Sequence, residues 1–386
     1  MDDDRLPVML LTGFLGSGKT TLLNAWLRTT DLENAAVIVN EFGDVGIDHA
    51  LIASSSDNLI ELSTGCLCCT VRGDLVDTLR ELTEKRAKGE VRAFDRMVIE
   101  TTGLADPGPV IQALMTLPVA KRYRLRQVVT TVDAVHGLST LDRHTEALKQ
   151  AAVADEIVIT KTDLVKDVPD VLEDRLHALN PGANFHASSL ASMPLPSELA
   201  KADIYDPATK GAEVLSWLNV EAYTHDHTGH HDVNRHSDEI GSFCLEYDQP
   251  LEWEHVANWL DALVIAHGED MLRVKGILNI AGRAQPIVVQ AVQRLFHPPV
   301  PLPEWPTGDH RSQIVFITRG ISRAFRLFGK SRSVLGLVDH LAGRDPGHHA
   351  AQLGAGGFDH VLVVGTARGL DGRLADGVFQ HEVADE

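Results

Sequence analysis

The first residues with recognisable chemistry are residues 13–20, whose sequence GFLGSGKT fits the phosphate-binding loop pattern G-x-x-x-x-G-K-[ST]. The glycines allow the backbone to wrap around a phosphate, so that successive N–H groups point at its oxygens. Lys19 adds a full positive charge, and the hydroxyl of Thr20 is suited to Mg²⁺. The pattern therefore predicts a bound nucleotide.

Two further segments favour GTP as that nucleotide. Glu100 and Gly103, in the sequence ETTG, could place a carboxylate near Mg²⁺ and a backbone N–H near the γ-phosphate. Residues 160–163, TKTD, resemble the [NT]-K-x-D element of guanine-binding proteins. Asp163 can accept from N1–H and the exocyclic amine of guanine, whereas adenine offers neither donor there. Thr160 replaces an asparagine carboxamide but leaves this discriminating carboxylate in place.

The resulting site has three overlapping sets of residues. Lys19 and Glu100 are the predicted catalytic residues, and Thr20 and Glu100 are the predicted Mg²⁺ ligands. The predicted nucleotide-binding residues are Gly13, Gly16, Ser17, Gly18, Lys19, Thr20, Thr21, Gly103, Thr160, Lys161 and Asp163.

Three of the four cysteines lie within four residues, at Cys66, Cys68 and Cys69. In an extended segment Cys66 and Cys68 face one side and Cys69 faces the other, so the third thiolate joins the first two if the chain bends. Thiolates suit Zn²⁺, Co²⁺ or Cu⁺. We therefore predict one high-affinity metal site, with Glu41 as a candidate oxygen ligand; inert thiols and a vicinal disulfide are the alternatives.

A second set of candidate metal ligands lies in the polar residues 221–239. The candidates are His225, His227, His230, His231 and His236. Neutral imidazoles coordinate borderline metals, but a polar tract must become ordered to do so. We expect weak metal capture here, against the alternative of a solvated linker.

The elements that must position these residues alternate as in an α/β fold. Apolar runs at 8–12, 35–40, 58–62, 97–99, 128–132 and 156–159 predict buried strands separated by helices. The phosphate-loop pattern, Glu100 and the TKTD segment each directly follow such a strand. Because ligands bind at the carboxyl ends of strands in open α/β sheets, we predict a doubly wound parallel sheet through about residue 190, with the nucleotide at one edge.

The length of 386 residues exceeds the size at which single cores stop growing, so we expect two domains. The predicted division is a nucleotide-binding domain at 1–200, a His-rich linker at 201–240 and a smaller α+β domain at 241–345. In the last, strands at 242–247, 272–280, 287–295 and 314–317 accompany a helix at about 252–267 and a final helix. Cys244 is expected in its core. No function is predicted for the tail, 346–386.

The composition excludes several kinds of partner. A formal charge of −19 argues against nucleic acid and anionic membranes as partners. The N-terminal sequence MDDDR is acidic where a secretory signal is basic, and no apolar run is long enough to span a bilayer. Clustered thiols suit a reducing compartment, so we expect a cytoplasmic protein. The oligomeric state stays open.

Taken together, these motifs resemble the CobW-type GTPases, a metallochaperone family that includes cobalamin-biosynthesis CobW proteins, zinc-handling homologues and nitrile hydratase activators. The resemblance rests on GFLGSGKTTLLN at 13–24, NEFGDVGID at 40–48, GCLCC at 65–69 and ETTG at 100–103. Residues 241 to about 341 resemble the family's C-terminal domain. The resemblance implies a P-loop GTPase that delivers a transition metal, zinc in the first place and cobalt as the alternative, to a client metalloprotein.

Two readings from other classes stay open at this point. A metal storage or sensing module would turn nucleotide over negligibly, whereas turnover that rises with metal or client would exclude it. A small-molecule kinase or ATP-dependent ligase would use ATP and GTP alike, and Asp163 argues against it.

Overall fold

A computed structural model of the chain describes residues 4–40, 59–62, 71–199, 218, 240–297 and 299–321. These residues form two sheets, one parallel and N-terminal and the other antiparallel and C-terminal. None of the helices in these ranges combines the length and the hydropathy needed to cross a membrane.

The N-terminal sheet has seven parallel strands. They are β1 (Leu6–Gly13), β2 (Ala35–Asn40), β3 (Leu59–Leu62), β4 (Arg96–Glu100), β5 (Tyr123–Asp133), β6 (Glu156–Thr160) and β7 (Asn184–Ala187). Their spatial order is β3-β2-β4-β1-β5-β6-β7. The chain fills the β4 side of β1 before the β5 side, so the order reverses at β1, where such sheets bind ligands.

Helices cover both faces of this sheet. They are α1 (Lys19–Trp26), α2 (Val71–Lys88), α3 (Gly108–Met115), α4 (Gly137–Arg143), α5 (Thr145–Ala152), α6 (Asp170–Leu179) and the single turn α7 (Pro196–Leu199). Successive residues of a strand point to opposite faces. Leu10 accordingly packs with Leu79 of α2 and Ile111 of α3, whereas Leu11 packs with Leu22 and Trp26 of α1. The predicted doubly wound fold is thus confirmed.

The C-terminal unit combines an antiparallel sheet with one long helix. The elements are β8 (Ile240–Tyr247), α8 (Trp253–His267), β9 (Met271–Leu278), β10 (Ile287–Val292), β11 (Leu295–Phe296), β12 (Val300–Pro301) and β13 (Ser312–Arg319). The order is β11-β10-β9-β13-β8, and β12 also pairs with β10. Leu260 and Leu263 of α8 pack on Val274 and Phe316, so the predicted α+β class is also confirmed.

The two units share apolar contacts. Leu272 of β9 and Ile317 of β13 belong to the cluster that Leu172 and Leu176 of α6 form beside the parallel sheet. Val292, at the end of β10, packs in the cluster under α2 and α3. The C-terminal sheet is therefore packed directly against the nucleotide-binding fold.

Three details differ from the sequence-based expectations. The single strand predicted at 287–295 is split, because Gln293 has a φ of 52° and turns the chain between β10 and β11. Strand β7 was not predicted, since its sequence NFHA contains no apolar run. Cys244 is only partly buried, at the margin of the C-terminal core, because alternate residues of β8 face outward. The predicted final helix and the tail lie outside the described residues.

Candidate nucleotide site

The loop between β1 and α1 has a conformation that requires glycine. Gly13 has a φ of 141°, and a Cβ there would lie 2.4 Å from Oγ1 of Thr131 and 2.8 Å from Oγ of Ser17. The N–H of Ser17 donates to the carbonyl of Phe14 at 3.1 Å, which closes the loop on itself. Helix α1 begins directly afterwards, at Lys19, so its N-terminal N–H groups face the region that the loop encloses.

Two threonines from the neighbouring strands hold this loop in place. Oγ1 of Thr131, near the end of β5, lies 2.6 Å from Oγ of Ser17. The hydroxyl of Thr160, the last residue of β6, donates to the carbonyl of Ser17 at 2.6 Å. A threonine at the first TKTD position therefore binds the phosphate loop directly.

Thr20 at the start of α1 contacts Glu100 at the end of β4, and the neighbouring Lys19 binds the phosphate loop. Nζ of Lys19 donates to the carbonyl of Phe14 at 3.2 Å. The hydroxyl of Thr20 donates to Oε1 of Glu100 at 2.6 Å, and Glu100 is only 3% exposed. A hydroxyl and a buried carboxylate are the oxygen donors that Mg²⁺ prefers, so this pair fits the cation.

Gly103 brings the segment after β4 against the phosphate loop. A Cβ at Gly103 would lie 2.6 Å from the backbone nitrogen of Leu15, a distance that no side chain tolerates. Nε2 of the fully buried Gln150 donates to the carbonyls of Gly103 and Ala105 at 3.3 and 3.0 Å. Gly103 therefore lies directly beside the phosphate loop, and its contact with a γ-phosphate stays a prediction.

A cavity of about 220 Å³ lies beside the TKTD segment. Thr21, Lys161 and Asp163 line it, together with Gly18 and Thr160. The carbonyl of Ser188 accepts from both the N–H and the hydroxyl of Thr162, at 3.1 and 3.0 Å, and so anchors the segment to the end of β7.

Sequence reasoning missed one wall of this cavity. Ser189, Leu190 and Met193 follow β7 and also line the cavity. Leu190 is 75% exposed, so its apolar side chain is accessible to a ligand bound in the cavity. The signal in the sequence was weak, because it consisted of a polar Ser-Ser pair after a short polar strand.

Asp133, at the end of β5, is the second residue that sequence reasoning missed. Its Oδ2 accepts from Nζ of Lys161 at 2.6 Å, and its Oδ1 accepts from the N–H groups of Val135 and His136 at 2.7 and 3.2 Å. Burial alone would raise the pKa of Asp133, but Lys161 and the two N–H groups outweigh it and lower that pKa. Asp133 is thus a fixed anion that orients Lys161, which itself adopts a φ of 59°.

The predicted transition-metal ligands lie outside the described residues. These are Glu41, Cys66, Cys68 and Cys69, together with His225, His227, His230, His231 and His236. Within the ranges that the structure describes, no three His, Cys, Asp or Glu side chains group so as to hold a metal ion. Both metal sites stay predictions.

Comparison with known proteins relates the chain to one family over both units. Residues 7–187 match the CobW/HypB/UreG nucleotide-binding domain, and residues 240–325 match the cobalamin synthesis protein cobW C-terminal domain. The zinc chaperone YjiA of Escherichia coli is 33% identical over 323 residues, covering 81% of this chain and 93% of that protein. The zinc chaperone CobW of Pseudomonas aeruginosa is 33% identical over 315 residues, covering 76% and 82%. The crystal structure of Zn(II)-bound YjiA GTPase from E. coli superposes with a TM-score of 0.63 at 28% identity, covering 84% of this chain and 98% of that one.

Proposed function

Because the chain belongs to the CobW/HypB/UreG family and carries the CobW C-terminal domain, we propose that it is a GTP-hydrolysing metallochaperone that delivers zinc to a client metalloprotein. The observation that carries the GTPase part is the contact between Thr20 and Glu100 beneath a glycine-dependent phosphate loop. The names of the relatives, a GTPase and zinc chaperones, support the rest.

GTP binds in this proposal with its phosphates on the loop after β1 and its base in the cavity beside β7. The N–H groups at the start of α1 and the ammonium of Lys19 neutralise the phosphates. Asp163 accepts the two guanine donors, and Leu190 and the stem of Lys161 cover the faces of the ring. The N–H of Gly103 donates to the γ-phosphate.

Hydrolysis depends on charge stabilisation around the γ-phosphate. Thr20 and Glu100 would hold Mg²⁺, which when bound neutralises the charge on the β- and γ-phosphate oxygens. Lys19 donates to the same oxygens as charge develops on them. Asp133 keeps Lys161 aligned under the base, so binding and hydrolysis share one rigid framework.

Zinc is the cargo, bound by Cys66, Cys68 and Cys69 with Glu41 as a candidate fourth ligand. Support for a shared site comes from the sheet, where Asn40 pairs with Leu62 at the ends of β2 and β3. The chain therefore leaves β2 just before Glu41, and β3 a few residues before Cys66, at neighbouring points of the same carboxyl edge. Coupling of metal and nucleotide affinities would follow from ligands that belong to nucleotide-responsive loops.

The remaining parts of the chain take subsidiary roles in this proposal. The five histidines of residues 201–240 capture metal weakly and pass it to the thiolates, in a reducing cytoplasm where those thiolates persist. The domain at 241–345 recognises the client. Cobalt is the alternative cargo, because thiolate sites follow metal availability as well as ligand type.

Turnover of GTP under buffered Zn²⁺ and Co²⁺, together with metal analysis of the purified protein, tests the proposal. Replacing Lys19 by Ala should lower kcat by about a hundredfold or more, since it removes a charge that faces the reacting phosphate. Lys88→Ala is the matched control, because Lys88 is an exposed lysine in the last turn of α2 and does not line the cavity. Unchanged turnover in Lys19→Ala would contradict the proposal, as would equal use of ATP and GTP by the wild type.

A further inference from the structure

The segment between β4 and α3 is held from two sides. This segment, residues 101–107, begins after the proposed Mg²⁺ ligand Glu100 and includes Gly103, which contacts the backbone of Leu15. On one side, Gln150 binds two of its carbonyls. On the other side, Asp106 has polar contacts that the nucleotide site does not explain. The segment is therefore positioned by residues that do not belong to the phosphate loop.

Asp106 is the centre of a small polar network. Its Oδ1 accepts from the N–H of Gly108 at 2.9 Å, and its Oδ2 accepts from Nζ of Lys149 at 2.7 Å. Nε2 of Gln293 donates to the same carboxylate, at 3.3 Å from Oδ1 and 3.2 Å from Oδ2. Gln293 belongs to the C-terminal sheet, so the carboxylate joins the two units of the protein.

Both polar atoms of the Gln293 side-chain amide form hydrogen bonds. Besides its donation to Asp106, its Oε1 accepts from Nε2 of Gln112 on α3 at 3.1 Å. A Cβ at Gly108 would lie 2.4 Å from both polar atoms of this amide, so the first residue of α3 has to be glycine for Gln293 to reach Asp106. The backbone and three side chains thus form one close-packed contact between the units.

The backbone conformation of Gln293 is one that glutamine adopts rarely, which indicates that its side chain has a role. Val292 pairs with Leu295, so Gln293 and Arg294 form a two-residue turn, and Gln293 adopts a φ of 52°. Such positions favour glycine or asparagine, and other side chains are strained there. A glutamine kept in a conformation that favours glycine indicates that the amide has a task.

We propose that Gln293 is a positioning residue through which the C-terminal domain and the nucleotide site sense each other. GTP needs the N–H of Gly103 at its γ-phosphate, whereas GDP does not, so the two nucleotides differ in what they require of residues 101–107. Asp106 transmits that difference to the turn between β10 and β11. If GTP changes the affinity of the C-terminal domain for a client, the client changes the affinity for GTP by the same factor, because coupling is reciprocal.

This inference rests on the proposed function only in assuming that the site binds GTP and GDP; it requires neither zinc nor a client. Failure of zinc delivery would overturn the chaperone proposal and leave the coupling intact. Conversely, normal zinc delivery in a protein whose Gln293 can be removed without effect would overturn the coupling alone.

The test compares Gln293→Gly with Arg294→Ala, two changes in the same turn. Glycine suits the positive φ, so the first variant deletes the amide while sparing the turn. Arg294 is an exposed residue whose contact is with Glu269, away from Asp106, and its replacement should change nothing. We expect Gln293→Gly to raise the Kd for a non-hydrolysable GTP analogue about fivefold, with the Kd for GDP within about twofold of wild type.

Hydrogen exchange supplies a second readout. In the wild type, amides of residues 292–296 should exchange at different rates with the GTP analogue and with GDP, and in Gln293→Gly that difference should vanish. Gln293→Glu, which places a second carboxylate beside Asp106, should weaken binding of the analogue further. Unchanged affinities and an unchanged exchange difference would overturn the inference. An equal loss of affinity for both nucleotides would overturn it too, because it would mean a structural role.

Discussion

Replacement of the buried Asp155 should lower the free energy of unfolding substantially. Asp155 lies just before β6, and its Oδ2 accepts from the N–H of Val128 at 3.0 Å. Its Oδ1 accepts from Nη2 of Arg273 at 2.8 Å and from Nζ of Lys275 at 2.9 Å, both from β9. One carboxylate therefore forms ion pairs with two cations of β9, across the contact between the two sheets.

The expected magnitude follows from burial. The side chains of Arg273 and Lys275 are 6% and 7% exposed, and that of Asp155 is 14% exposed. Burial favours the neutral acid, yet the two cations outweigh it and lower the pKa of Asp155, so the carboxylate is ionised at neutral pH. Removing one partner of a buried ion pair costs about 3–5 kcal/mol, and here two cations lose their partner, so Asp155→Asn should cost about 4 kcal/mol.

Urea unfolding followed by far-ultraviolet circular dichroism measures this loss. Asp167→Asn is the control, because Asp167 is an exposed aspartate in the loop before α6 and should shift the midpoint little. Adding Lys275→Met to Asp155→Asn should recover part of the stability, since it removes one of the two uncompensated charges. A loss of unfolding free energy below about 1 kcal/mol in Asp155→Asn would refute the reasoning. It would mean that water, rather than the carboxylate, stabilises the two cations.

Three further predictions concern the nucleotide site and the pH dependence of stability. Gly13→Ala should abolish GTP binding in calorimetric titration, because the added methyl group would displace β5 from the loop; tight binding would contradict the loop geometry. Asp163→Asn should weaken GTP binding and relax discrimination against xanthosine triphosphate in competition assays, since a carboxamide can donate to the C2 carbonyl of xanthine; loss of binding to all nucleotides alike would contradict this role. Burial, with the charges of Arg273 and Arg5, lowers the pKa of His297 to about 3, whereas in the unfolded chain it is near 6.5. The unfolded state then binds more protons between these values, so stability falls as the pH drops from 6.5 toward 3, by at most about 1.4 kcal/mol per pH unit from this group, and His297→Gln should flatten that slope in unfolding experiments.

Most of the parallel sheet could be predicted because its strands are buried on both faces. Such strands appear as continuous apolar runs, and β2 was predicted with its observed bounds, Ala35–Asn40. The phosphate loop and the TKTD segment were recognisable because their residue types are dictated by local backbone geometry. Their common position at one edge followed from the strand-end rule, and the contact between Thr160 and Ser17 agrees with it.

The features that escaped prediction depend on contacts between residues distant in sequence. Leu190 lines the cavity beside the TKTD segment only because β7 pairs with β6. Asp133 matters because Lys161 reaches it across neighbouring strands. Nothing near Gln293 in the sequence indicates its partner Asp106, 187 residues away.

Zinc release during a single turnover of GTP tests the proposed chaperone cycle most directly. Zinc-loaded protein is mixed with GTP, GDP or a non-hydrolysable GTP analogue in the presence of a chromogenic chelator, and phosphate and chelated zinc are followed together. Ligand replacement at Cys66 and Cys68 should remove the tight zinc before the assay begins. The proposal predicts that zinc stays bound with the analogue and is released with GTP at the rate of hydrolysis. Release at the same rate with all three nucleotides, or tight stoichiometric zinc that survives the double cysteine replacement, would contradict it.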